Sequence, residues 1–417
     1  MRITRCLFVV AVCVLAAAVP MLAGCQAKPE GGPQIGVPTP EDYERQLPPG
    51  ALALRKITDP KEIPDFTEAA DDRADLANLV AAVDNSLHYL AKPSSAAQFP
   101  YGEVTRDQAV ASLVAFRELM TSGKSGSQIN DEIRNRFDVY ISVGCDYKGK
   151  VLFTGYYTPI LEGSLTRTER FRFPLYKMPP GATKNEEGVI AGAPDRKTIE
   201  SSNMYAGNEL VWLSDPFEVF VAHVQGSAII RLPDGKKMTV GYTANNGQEY
   251  VSVRAALVRD GKIGKREGLK AMIDYFKAHP ADVSTYTWQD PRFIFFTTID
   301  DGRPRGCLNE PVTQRRSIAT DKHGGNIYPR ACIAMVSAKM PAGEGLADYN
   351  AFALDQDTGG AIRAAGRCDI YLGIGDRAGQ QAGRMMNEGK LYYIFLKQSA
   401  MPAPTLSPTT PPAKPKS

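Results

Sequence analysis

The sequence holds no His-Glu-x-x-His pair and no Cys-x-x-Cys pair, and its four histidines (His88, His223, His279, His323) lie scattered. Zinc sites are built from ligands at such short spacings, so each histidine reads as structural or surface and no metal is expected. No phosphate-cradling P-loop appears, which leaves a nucleotide binder without support; no cofactor of any kind is expected. Charge of one sign is also scarce in excess: 49 basic against 46 acidic residues give a formal charge of +3. That excludes the large basic field by which nucleic-acid binders attract their partner. There is no internal repeat of fixed period. The one long apolar run, Leu7–Val19, is too short to span a membrane.

What is present begins with that run. Arg2 and Arg5 precede it and Leu22-Ala23-Gly24-Cys25 ends it, a secretion signal whose last four residues resemble the bacterial lipobox. The resemblance implies cleavage before Cys25 and lipidation of that cysteine. Several acyl chains would anchor the mature protein without a spanning helix. Gln26 rather than aspartate follows Cys25, which favours the periplasmic face of the outer membrane. Removing residues 1–24 takes Cys6 and Cys13 with it, and Cys25 carries lipid. Cys145, Cys307, Cys332 and Cys368 remain, enough for up to two bridges in any of three pairings in an oxidising compartment.

The Pro- and Gly-rich segment 25–50 reads as a flexible tether, and 399–417 as a disordered tail. Between them, Leu76, Leu79, Val80, Val83, Leu87 and Leu90 follow the spacing of an amphipathic helix that stops before Pro93. Thr105 and Gln108 have capping-box spacing for a second helix running to Gly123, and Ile129, Ile133 and Phe137 mark a third. From there the pattern is strands: Val139–Val143, Val151–Tyr157, Phe171–Tyr176, Leu210–Leu213, Val219–Val224, Ala228–Leu232, Lys237–Tyr242, Glu249–Val253, Arg292–Thr298, Ile333–Val336 and Leu391–Lys397. Asp234-Gly235 and Asn246-Gly247 are hairpin signals. One helix, around Leu269, Met272, Ile273 and Phe276, ends at Pro280. Many short strands point to a mainly β fold with flanking α-helices, and to barrels rather than a doubly wound sheet.

The segment Asp355–Gly375 concentrates acidic side chains among glycine and apolar residues. Short β-type runs, Ala351–Leu354 and Asp369–Leu372, surround a Gly359-Gly360 turn, so Asp357 and Asp369 can face one cleft. A carboxyl group beside apolar neighbours and other carboxylates is pushed up toward the range a general acid needs. Thr154-Gly155-Tyr156-Tyr157-Thr158-Pro159, Phe173–Tyr176, Val224-Gln225-Gly226-Ser227, Gly241-Tyr242 with Asn246-Gly247, Phe293–Phe296, Asp357–Ile362 and Asp369–Gly375 occur in that order. Together they resemble the membrane-bound lytic transglycosylase A family, over roughly residues 137–397.

The resemblance implies a double-psi β-barrel assembled from 51–159, with the helical section, and 299–398, its three-aspartate domain. A smaller β-barrel is inserted at 160–298, with a glycan groove between the two. It also implies cleavage of the β-1,4 bond between N-acetylmuramic acid and N-acetylglucosamine, giving a 1,6-anhydro product. The expected partners are peptidoglycan strands, the outer membrane and cell-wall synthesis complexes, with no nucleic acid. The family's catalytic aspartate falls on Asp369. Asp357, with Asp355, is expected to keep the proton on it by like-charge repulsion. Cys368, beside that acid, leaves open a bridge to Cys332.

Thr154, Gly155, Tyr156, Gln225, Gly226, Ser227, Tyr242, Gly359 and Gly360 are the expected groove residues. Tyr156 and Tyr157 must point to opposite faces of a strand, and Tyr156 is preferred for the groove. Two rivals are weighed. Asp357-Thr358-Gly359 is the aspartic-protease tripeptide, but such enzymes need two aspartates sharing a proton and the chain has no second copy. A non-catalytic glycan-binding lipoprotein is the other, against which the intact Asp369 motif argues.

Overall fold

The computed structural model describes residues 43–402 except 73, 74, 266, 322–325 and 344. The signal peptide, Cys25, most of the tether, His323 and the tail beyond 402 lie outside the described residues. No helix among the described residues is long and apolar enough to cross a membrane.

Helices α1 (Thr67–Asp71), α2 (Leu76–Ala91), α3 (Arg106–Met120) and α4 (Gly126–Arg136) come first. In α2 the periodic residues Leu79, Val83 and Leu90 are buried. Thr105 caps α3 by accepting from the Gln108 N–H at 3.1 Å. The reciprocal half of that box is not made: Gln108 Oε1 accepts instead from Gln398 Nε2 at 3.0 Å, and its Nε2 donates to Leu396 O. A complete capping box opens α4, between Ser125 and Gln128.

The strands are β1 (Leu54–Lys56), β2 (Phe137–Ser142) and β3 (Val151–Thr158); then β4 (Ile160–Ser164), β5 (Phe173–Tyr176), β6 (Glu209–Leu213), β7 (Ser227–Arg231), β8 (Lys237–Asn245) and β9 (Ile294–Ile299); then β10 (Ser317–Ala319), β11 (Ile333–Ala342), β12 (Gly345–Asp357), β13 (Arg367–Ile374) and β14 (Met386–Leu396). Six of them close a barrel in the order β3-β14-β11-β12-β10-β13, with β13 returning to β3. The pairs β13–β3 and β10–β12 are parallel and the other four antiparallel. β2 and β1 extend the sheet outward from β14. This is the double-psi barrel with flanking helices, and β3 reaches it from before a long excursion of the chain.

That excursion is a second six-stranded sheet, β5-β6-β4-β7-β8-β9. A bridge between Lys177, just beyond β5, and Phe296 of β9 brings its two edges together. Asp234-Gly235 makes the β7–β8 hairpin, with Gly235 at φ +84°. Asn246-Gly247 does not make one: β8 ends at Asn245, and the Asn246 amide is held by Pro194 O and Pro291 O.

The insert also holds helices the strand reading missed. Val219–Val224 lies in α6 (Pro216–Gln225), after α5 (Arg196–Ser202). Its run is apolar on every side because α6 is sandwiched: Val219 and Ala222 enter the sheet's core. Phe217, Phe220 and Val221 meet α7 (Val253–Arg259), α8 (Leu269–Ala278) and α9 (Val283–Thr287). Burying each such side chain contributes about 1.5–3 kcal/mol. A continuous apolar run looks like a buried strand, and only Asp215, Pro216 and Gly226 mark helix ends. Glu249–Val253 is likewise no strand, since Ser252 caps α7. A last helix, α10 (Asp376–Arg384), packs against β3.

Candidate active site

β10 is only three residues long, yet its Ala319 pairs with Asp369 of β13 on one side and Asp357 of β12 on the other. Neighbouring strands are about 4.8 Å apart, so the two aspartates stand at one end of three adjacent strands. On its far side β13 runs parallel to β3, with Asp369 opposite Thr154 and Tyr371 opposite Tyr156. Side chains two residues apart share a face of a strand. Arg367, Asp369 and Tyr371 therefore stand beside Thr154, Tyr156 and Thr158.

The contacts follow that register. Thr154 Oγ1 donates to Asp369 Oδ1. Arg367 Nη2 donates to Thr154 Oγ1 at 2.9 Å and lies 3.3 Å from the same Oδ1. Both partners thus fall on one carboxylate oxygen. Among the described residues Asp369 Oδ2 has no hydrogen-bond partner. Tyr156 donates its hydroxyl to Asp357 Oδ2 at 2.8 Å, and its ring tilts against Tyr371 with centroids 5.2 Å apart. Tyr157 turns the other way into the core.

Asp357 accepts three hydrogen bonds, from Tyr156 and from the N–H groups of Cys307 and Thr358. Burial nevertheless pushes it up to about 6. Burial, not repulsion from another carboxylate, is the main cause. The folded protein then holds this proton more tightly than the unfolded chain. The associated stability is complete below the ordinary value of 3.8 and is lost as pH rises through about 6. Between pH 4 and pH 7 the wild type should lose up to about 3 kcal/mol of unfolding free energy that Asp357→Asn does not lose. Parallel curves from denaturant titrations of the two proteins would show this account to be wrong.

Asp355 stands apart from the cleft. Its side chain is fully buried and is held by Arg330 at 2.6 Å and by Thr320 and Tyr393, each at 2.7 Å. Arg330 also donates to Asp357 O at 2.9 Å. Asp355 is a foundation beneath the site, its charge paired with Arg330.

The remaining sequence candidates separate. Gln225 Oε1 accepts from the Tyr157 N–H at 3.0 Å, and Ser227 Oγ lies 3.2 Å from Thr158 Oγ1, so both tie the insert to β3. Gly226 between them closes α6 in the left-handed region at φ +74°. Gly155 faces away from the aspartates; a Cβ there would sit 2.6 Å from Leu372 Cδ1 and 3.0 Å from Ala382 Cα. Packing of α10, not approach of a glycan, requires that glycine. At Gly360 a Cβ would meet Arg292 Nε of the insert at 2.9 Å, so the Gly359-Gly360 turn is where the two barrels touch. Tyr242, 42% exposed, shares its hydroxyl with Asn245 and Gly188 on the insert side.

Sequence reasoning missed Arg367, Arg292 and Arg363. Arg367 could have been found from its i, i+2 spacing to Asp369. Arg292 could not, since it reaches the turn from another domain. The four cysteines are thiols, so the bridge left open between Cys368 and Cys332 is not formed. Burial pushes both of those thiols well above 9.

Comparison with known proteins fits this geometry. Residues 152–297 match the model of the MltA specific insert domain and residues 316–395 that of the 3D domain. The membrane-bound lytic murein transglycosylase A of Escherichia coli strain K12 is 30% identical over 267 residues, 62% of this chain and 69% of that protein. The chain belongs to the MltA family. Its fold is shared with a membrane-bound lytic murein transglycosylase of Agrobacterium tumefaciens, at TM-score 0.66 and 23% identity over 84% of this chain and 99% of that one. It is shared also with E. coli MltA solved with bound chitohexaose, at 0.65 and 24% over 86% and 97%. The MltA insert match runs from within β3 through β9 and the 3D match covers β10–β14, and the candidate site lies where the two face each other.

Proposed function

We propose that this chain is a lytic transglycosylase of peptidoglycan, cleaving the bond between N-acetylmuramic acid and N-acetylglucosamine without water. The observation that carries the reading is Asp369, with Oδ1 held by Thr154 and Arg367 and Oδ2 without a hydrogen-bond partner among the described residues. Ordinary glycosidases set two carboxyl groups across the scissile bond, the second to activate water or to attack. Here one suffices. Asp369 gives its proton to the glycosidic oxygen, the C1–O bond breaks and its electron pair leaves with that oxygen. The C6 hydroxyl of the same muramic acid attacks the cationic C1, and its proton passes to the Asp369 carboxylate. Between those steps the aspartate is an anion, and the Thr154 hydroxyl and Arg367 stabilise that form where it is needed.

The names of the relatives and the chitohexaose bound by the E. coli protein support the substrate class. Tyr156, Tyr242 and the Gly359-Gly360 turn are the groove walls under this reading. Attachment to the periplasmic face of the outer membrane rests on the Cys25 motif.

Full-length protein in detergent, incubated with purified sacculi, should release fragments ending in 1,6-anhydromuramic acid by mass spectrometry. In ¹⁸O-labelled water those ends should stay unlabelled. Reducing ends carrying the label would identify a hydrolase, and binding without release would favour a non-catalytic glycan-binding lipoprotein.

A further inference from the structure

Three guanidinium groups converge on the turn beside Asp369. Arg363 Nε donates to Gly360 O at 3.3 Å and Arg367 Nη1 to Ala361 O at 2.9 Å. Arg292, from the insert, lies across Gly360 and donates to Gln248 O at 3.1 Å. Carbonyl oxygens fix these side chains without neutralising them.

The carboxylates nearby do not balance the charge. Arg367 shares Asp369. Arg363 meets Glu249 at 3.2 Å, but that side chain is 78% exposed, and such a pair is worth little. Asp290, behind Arg292, is taken up by Arg196 and two backbone N–H groups. Among the described residues, Arg363 Nη2 and Arg367 Nε are buried with no acceptor at all. Buried donors are almost always paired, so two orphan guanidinium N–H groups at one cleft edge point to an acceptor from outside the chain. Guanidinium favours a planar, two-oxygen anion.

Chitin and murein strands share their backbone of β-1,4-linked amino sugars. They differ in the lactyl ether of muramic acid and the acidic peptide it carries. Resting on the glycan-cleaving reading above, we infer that Arg292, Arg363 and Arg367 form a subsite for a carboxylate of that lactyl-peptide substituent. The subsite sits on the turn between the barrels, next to the reacting aspartate. It selects murein over neutral amino-sugar polymers and sets the muramic residue in register with Asp369.

The test is calorimetric binding to the full-length protein in detergent, in an Asp369→Asn background so that nothing is cleaved. The probes are a peptide-bearing murein tetrasaccharide, the same molecule with its carboxylates amidated, and chitohexaose. The acidic form should bind at least about tenfold more tightly than the amidated one, with a preference that shrinks as salt rises. Arg292→Gln and Arg363→Gln should each remove most of that preference while chitohexaose affinity moves less than about twofold. Equal affinity for the acidic and amidated forms overturns the proposal, as does an equal loss for all three probes in the variants, which would mark a packing role. If sacculi stay uncut by the wild type yet the acidic preference holds, the cleavage reading fails and the subsite stands.

Discussion

Asp369→Asn should stop the release of 1,6-anhydro ends from sacculi while leaving the fold intact. General acid and base assistance from a positioned carboxyl group is worth roughly 10²–10⁴-fold, and here one group serves both steps. The loss should therefore lie at the upper end of that range. The amide keeps the shape of the side chain and can still accept from Thr154 and Arg367, so unfolding midpoints should barely move. A rate retained within about tenfold, a barrier change near 1.4 kcal/mol, would exclude the role assigned to this residue. Asp357→Asn is the informative companion. Its carboxyl group touches Tyr156 and two backbone N–H groups rather than the presented oxygen of Asp369, so its loss should be clearly the smaller.

The second large effect is on stability. Asp355→Ala should cost about 3–5 kcal/mol, because it leaves the Arg330 guanidinium uncompensated in the barrel interior. Against a total stability of about 5–15 kcal/mol that is a substantial share. Asp355→Leu combined with Arg330→Met should cost less than either single change, since the double replacement buries no lone charge. Denaturant titration of the set decides it; a single variant as stable as the wild type would show that the pair does not hold the barrel. Arg330 also donates to Thr320 O, Asp321 O and Asp357 O, so its loss should loosen the end of β12 that carries Asp357.

Much of this was legible in the chain. The helices α2 to α4 and the barrel strands other than the three-residue β10 could be read from local periodicity, which the structure keeps wherever one face is buried. The α6 run could not, because burial on both sides removes the alternation by which helix and strand are told apart. β11 and β12 run well past the apolar stretches that mark them, since beyond Ala338 the two strands pair with each other alone and bury only some of their side chains, Met340 and Tyr349 among them. At the site, Asp357, Asp369 and Tyr156 sit in recognisable motifs. Arg292 does not, for nothing in its neighbourhood of the sequence says that it will lie on Gly360. The polar groups of Gln225 and Ser227 were read as substrate ligands because sequence shows which groups a side chain offers, not which neighbour takes them first.

The barrel that carries both aspartates is closed by pairing of β14, Met386–Leu396, with β3, which was laid down before the whole insert. A polypeptide emerging from the ribosome or the export channel therefore has no finished cleft until β14 has arrived. Bringing such distant segments together is slow. A wall-cutting chain that is interrupted, or clipped within its final strand, is left harmless to the cell that made it.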